Sequence, residues 1–145
     1  MAEAPLLFTA SWRSDLITGP AALVSISRSA PRGRRGYKRY AALAPGSWFR
    51  NPMPDTDWVA KYEDEVLAPL DACTVARDLA LLGEGQPVLL MCWEPPPPDP
   101  AWCHRALVSR WLWREIGVGV PEYGCEHLGH GDNHPKLPTL LSRSS

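Results

Sequence analysis

One short stretch holds most of the side chains that can do chemistry. It is VLLMCWEPPPPDPAWCHR, residues 88–105, with Cys92, Glu94, Cys103, His104 and Arg105. A thiolate attacks or ligates, a carboxylate or imidazole moves protons, and a guanidinium grips an anion. The apolar run at its start reads as a buried strand that delivers Cys92 and Glu94 at its C-terminal end. In open α/β sheets that edge is where ligands bind. Asp99-Pro100 then reads as a helix start, with Asp as N-cap and Pro at the first helical position. This helix is expected to run to about Ile116 and to stop at Gly117. Cys103, His104 and Arg105 would fall in its first turns, where free N–H groups favour anions and lower a thiol pKa.

A helical wheel sharpens the aim of these groups. Val108, Trp111, Leu112 and Ile116 define the inward face. His104 and Arg105 lie near that face, whereas Cys103 points well away from it. Glu94 can pair with either His104 or Arg105, and a buried Arg–Glu pair with only a structural role is an equal reading. Cys103 is a candidate nucleophile, although small buried cysteines are common. A Cys92–Cys103 metal pair is a weaker reading, because the gap between them is not a usual knuckle spacing.

A second cluster, CEHLGHGDNH, holds Cys125, His127, His130 and His134. All four types ligate zinc, but the spacing matches no standard finger, so surface histidines and no bound metal are expected. The sequence contains no Walker loop, no dinucleotide glycine motif and no GxSxG elbow. No cofactor can be named from it.

Charge is segregated along the chain. Between Asp15 and Asp55 there is no acid, while Arg28, Arg32, Arg34, Arg35, Lys38, Arg39 and Arg50 lie there. From Asp55 to Glu84 eight acids face Lys61 and Arg77. Such a basic segment suggests an anionic partner, a nucleotide, nucleic acid or phosphate, against the plainer reading of a solvated loop. Tyr37 and Tyr40 interleave the charges and can stack on a base. Arg28 follows a predicted strand, so it would stand at the same sheet edge as Glu94.

These side chains need a scaffold. Residues 21–27, AALVSIS, read as a buried strand. Residues 29–54, rich in Gly and Pro, read as a long loop that packs through Tyr37, Tyr40, Trp48 and Phe49. Asp55 or Asp57 caps a predicted helix to about Leu70, with Val59, Tyr62, Val66 and Leu70 at helical spacing. Asp71 caps the next, which carries Val75, Leu79 and Leu82 and ends at Gly83. VGVP, residues 118–121, reads as a short last strand. The pattern predicts a single Rossmann-like α/β domain over residues 1–145, with a parallel or mixed sheet flanked by helices. Its core is expected over about 16–124, with an irregular tail over 125–145. The chain has no apolar run of membrane-spanning length and no secretory leader pattern, and its four cysteines are irregularly spaced. A cytoplasmic protein with no membrane partner is therefore expected, its cysteines serving as thiols, ligands or a nucleophile.

The order Cys-x-Glu, short gap, Cys-His-Arg resembles the domain-of-unknown-function 488 family. SISRSAPRG, YAALAPGSWF and YEDEVLAPLD upstream, and VPEYG downstream, extend the resemblance over about Leu23 to Gly124. The resemblance implies a small α/β fold with the cysteines, His104 and Arg105 near one cleft, and no settled reaction. The gap, PPPPDPAW, is longer than is typical of that family.

Three expectations follow for the structure. Arg28, Glu94, His104 and Arg105 should surround one cleft that binds or acts on a nucleotide or nucleic-acid-derived anion. The tail residues should not form a metal site. Residues 32–39, with Arg34, Arg35 and Tyr37, should contact the anion, together with the adjacent Tyr40 and with Cys92 at the cleft. An enzyme and a non-catalytic binder are both compatible with this pattern. A tail that binds metal is a third reading.

Overall fold

The computed structural model describes residues 6–141. Leu7–Ser11 forms β1, Ala22–Ser25 β2, Tyr37–Arg39 β3 and Val88–Cys92 β4. They make one four-stranded sheet in the order β1-β4-β2-β3, and every pairing is parallel. All four C-terminal ends therefore share one edge. The helices are α1 (Asp55–Tyr62), α2 (Ala72–Gly83) and α3 (His104–Ile116). The architecture is α/β, as the alternation of apolar runs and helical stripes predicts.

Alternate residues of each strand face opposite sides of the sheet. Leu7, Val24, Val88 and Leu90 join Val59, Val75, Leu79 and Leu107 from the helices in the main core. Phe8, Ala10, Leu23, Leu89 and Met91 form a second cluster on the other face. Among the described residues, Trp12, Ile17, Tyr37 and Tyr123 pack on that second face. β2 and β4 are buried on both sides almost throughout, which is why they read as near-continuous apolar runs.

Several local expectations are corrected. β1 lies before the predicted core, and its Thr9 and Ser11 interrupt an apolar run that would otherwise announce a strand. The core also extends past residue 124: Cys125, His134, Lys136 and Leu137 are buried. The long loop contains β3 and two short 3-10 turns, Ala41–Leu43 and Ser47–Arg50. VGVP forms no strand; its neighbour Glu122 makes one isolated parallel bridge to Thr9. The helix from Asp55 passes through a π-helical turn at Glu63–Leu67 and ends near Ala68. Asp71 caps α2 as read, its carboxylate accepting from the Thr74 N–H. Gly83 is the last residue of α2, and Glu84 takes the left-handed position after it. A side chain at residue 83 would meet Val88 Cγ2 at 2.7 Å, so close packing is what requires glycine there. Gly117 ends α3 in the left-handed conformation, as read.

The start of α3 matters most for the site. It is His104, not Asp99. The Asp99 carboxylate accepts from the Ala101 N–H within its own turn. Cys103 is the N-cap in extended conformation, and its N–H goes to the Lys136 carbonyl. The tail thus props the helix start from outside.

Candidate functional site

β4 ends at Cys92 and α3 begins at His104, so the segment between them must loop out and return. Its prolines keep it out of the helix, and it turns at Pro97-Pro98. This return brings Cys103 back onto the end of β4, where Cys92 and Cys103 form a disulfide with sulfurs 2.11 Å apart. The wheel placed Cys103 away from the core; the correction follows from its N-cap position, which no helical angle describes. Cys103 is fully buried.

Three further groups converge there. Glu94 Oε1 lies 3.8 Å from Cys92 Sγ. His104 Nδ1 lies 3.8 Å from Cys103 Sγ. Arg28, after β2, reaches the same edge, donating to the Pro45 carbonyl at 3.2 Å and lying over the Phe49 ring. Together with Ser27, Trp58, Trp93 and Trp102 these residues line a cavity of about 220 Å³. Trp93 is fixed by its indole N–H donating to the Ser29 carbonyl. Trp58 packs edge-on against both Trp48 and Trp102.

His104 is tied from behind. Its Nε2 is 2.8 Å from the Ile26 carbonyl, which can only accept, so Nε2 carries the ring proton and Nδ1 offers its lone pair towards the sulfurs. Burial drives its pKa down to about 4; the Ile26 hydrogen bond opposes this shift and the Arg105 charge adds to it. The imidazole is thus neutral at physiological pH.

Arg105 does not line the cleft. It is fully buried beneath it and makes a bidentate pair with Glu122: Nε to Oε1 at 2.9 Å and Nη2 to Oε2 at 2.7 Å. Its remaining N–H groups reach Cys92 Sγ at 3.1 Å, the Glu94 carbonyl at 3.0 Å and, more weakly, the Pro95 carbonyl. The expected pairing with the Glu94 carboxylate is therefore corrected: the partner carboxylate is Glu122, and Arg105 takes only the backbone of Glu94. Its position makes it a positioning residue. It ties the end of β4 to α3.

Glu122 is the residue that sequence reasoning missed. It also accepts from Thr9 Oγ1 at 2.7 Å, and Thr9 in turn meets His134 Nε2 at 2.7 Å. A lone acid after an apolar run, VGVP-E, is the signal that could have found it. Lys136 is a second such residue: its ammonium is buried against the Asp99 carbonyl at 2.8 Å, and burial lowers its pKa.

The other predicted groups lie elsewhere. Tyr40 donates to Asp78 on α2 at 2.8 Å, and burial followed by that hydrogen bond pushes its pKa up to about 12. Tyr37 packs edge-on against Trp12 on the second face of the sheet. Neither lines the cleft: Tyr37 belongs to β3, and Tyr40, just after it, is held by Asp78. Arg34 lies over Trp12, and Arg35 is exposed. Lys38 pairs with Glu84, so part of the basic segment is neutralised within the chain. Arg39 donates to the Arg28 carbonyl at 3.3 Å and carries that segment's charge to the rim.

The tail residues disperse. His134 is buried in the Thr9–Glu122 network, His130 packs edge-on against Trp113, and Cys125 is a buried free thiol. No helix among the described residues is long and apolar enough to cross a membrane. No protein-family model, curated protein or solved structure matches this chain.

Proposed function

We propose that the cleft binds a small anionic ligand carrying an aromatic ring, of the nucleobase or mononucleotide class, and acts on it. The observation that carries this reading is the lining: Phe49, Trp58, Trp93 and Trp102 offer ring faces and edges, and Arg28 offers the only guanidinium among the lining residues. Aromatic walls suit a base, and a guanidinium suits a phosphate or an acidic ring. The volume, about 220 Å³, falls below the ~300–1,000 Å³ typical of drug-sized sites, which favours a base or mononucleotide over a strand.

Convergence of Glu94, neutral His104 and the sulfur pair supports chemistry over passive grip. Glu94 would accept a proton from the bound ligand or from water. Arg28 would hold the negative charge. The resemblance to the domain-of-unknown-function 488 family fits this reading without naming a reaction.

Titration of tryptophan fluorescence tests it. A nucleoside monophosphate should quench the cleft tryptophans saturably, and inorganic phosphate alone should not. Arg28→Ala should weaken the affinity about tenfold or more, the scale of one charge-assisted hydrogen bond. Failure of bases, nucleosides and nucleotides alike to bind would overturn the reading.

A further inference from the structure

We infer that the reduced cleft is a divalent-metal site, with the Cys92 and Cys103 thiolates and His104 Nδ1 as ligands and the Glu94 carboxylate in the remaining position. One donor atom from each of these four residues lies within 4.8 Å of every other. Tetrahedral zinc with bonds of about 2.0–2.3 Å places its donors roughly 3.3–3.8 Å apart. The set therefore needs only local adjustment, chiefly separation of the two sulfurs once their bond is broken. This inference goes beyond the ligand reading and does not depend on it, since the ion can bind whether or not a nucleotide does.

The surroundings already have the form that metal ligands require. A ligating histidine normally donates its other ring N–H to a carbonyl or carboxylate, which fixes the tautomer. His104 does this with Ile26, at 2.8 Å. A ligating thiolate is commonly held by a nearby donor, and Arg105 Nη1 stands 3.1 Å from Cys92 Sγ. Glu122 fixes that guanidinium in turn. Cys92, Cys103 and His104 are buried, whereas Glu94 is only partly so and lines the cavity. Three dry ligands with a fourth position facing a pocket describe an open site rather than a closed structural one. Two thiolates with an imidazole select a borderline-soft ion such as zinc over calcium or magnesium.

The spacing concealed this site. The cysteines stand 11 residues apart, and the intervening segment leaves and re-enters the sheet edge. Chemical balance is simple. A trialkylphosphine attacks the disulfide, both sulfurs become thiols, and water supplies the oxygen of the phosphine oxide. Binding of the ion then releases the two thiol protons to solvent.

Cobalt is the probe. The full chain, reduced with a phosphine and kept free of oxygen, is titrated with Co²⁺. Intense visible d–d bands and a thiolate-to-cobalt charge-transfer band should grow to one equivalent and vanish when Zn²⁺ is added. Cys92→Ser, Cys103→Ser and His104→Ala should each abolish or reshape the bands, whereas Cys73→Ser and the His127→Ala/His130→Ala pair should leave them intact. Glu94→Gln should retain the thiolate band with at least tenfold weaker binding. Should a cleft variant fail to fold, alkylation of the parent decides: Zn²⁺ should protect Cys92 and Cys103 while exposed Cys73 reacts. Absence of a charge-transfer band in protein with both thiols free overturns the inference. So does alkylation of Cys92 and Cys103 at rates that zinc leaves unchanged, or a band lost only with the tail histidines.

Discussion

Two regions of this protein are rich in the same residue types. Residues 92–105 supply two cysteines, a glutamate and a histidine; residues 125–134 supply a cysteine and three histidines within ten positions. The denser region disperses its side chains. His130 faces Trp113, while His134 joins a buried network. The sparser region converges, with four donor atoms inside 4.8 Å. What differs is the scaffold. The cleft residues stand at the end of a strand and the start of a helix, two fixed points on one sheet edge. The tail residues stand on successive 3-10 turns, Glu126–Leu128 and Gly131–Asn133, each of which redirects the chain.

The comparison breaks most visibly at the buried charges. Arg105→Ala leaves Glu122 buried without its counter-charge and should cost about 3–5 kcal/mol in denaturant unfolding. Arg114→Ala removes a half-exposed partner of Asp132 beside the tail and should cost less than about 1 kcal/mol. Arg105→Lys should not rescue, since an ammonium cannot reproduce the bidentate pair. Equal costs for Arg105→Ala and Arg114→Ala would dissolve the distinction.

Acid sharpens it further. His104 is neutral in the fold, with its pKa lowered from 6.5 to about 4. Between those values the unfolded chain binds a proton that the folded chain does not, so stability falls as pH drops. In the disulfide form up to ~3 kcal/mol should be lost between pH 6.5 and pH 4. His104→Gln should flatten that slope while lowering stability at neutral pH. A slope unchanged in the variant would show that another group titrates.

His134→Ala should cost about 1–3 kcal/mol by leaving buried polar partners unsatisfied, whereas His127→Ala at an exposed position should fall within about 0.5 kcal/mol. Both are read from thermal unfolding. That outcome would mark the tail as structural.

The smallest effect is expected in the basic segment. Arg34→Ala with Arg35→Ala should weaken mononucleotide binding less than Arg28→Ala does, and the loss should shrink as salt rises. A larger effect than that of Arg28→Ala would move the ligand out of the cleft.

The fold class was legible because strands buried on both faces and helices with one apolar stripe leave distinct periods. Asp71 and Gly117 announced their caps through backbone chemistry that acts locally. β1 was not legible, because Thr9 is placed by partners more than a hundred residues away, Glu122 and His134. The site was half legible. Cys92, Glu94 and His104 could be assigned to one edge from the strand and the helix. The aim of Cys103 could not, since it depends on where α3 begins, and a contact with Lys136 near the chain's far end sets that point. Arg105 was noticed for its charge, but only its distant partner shows that it holds the site together from beneath.

The convergence at Cys92 and Cys103 is open to one direct measurement. Both cysteines fall on a single tryptic peptide, residues 78–105, while Cys73 and Cys125 fall on others. After mild oxidation, alkylation under denaturing conditions and digestion, the 78–105 peptide should be unalkylated and lighter by one H₂ than its reduced form. Cys73 and Cys125 should both carry the alkyl group. A cross-link between Cys103 and Cys125, or full alkylation of the 78–105 peptide after oxidation, would contradict the geometry on which the cleft is built.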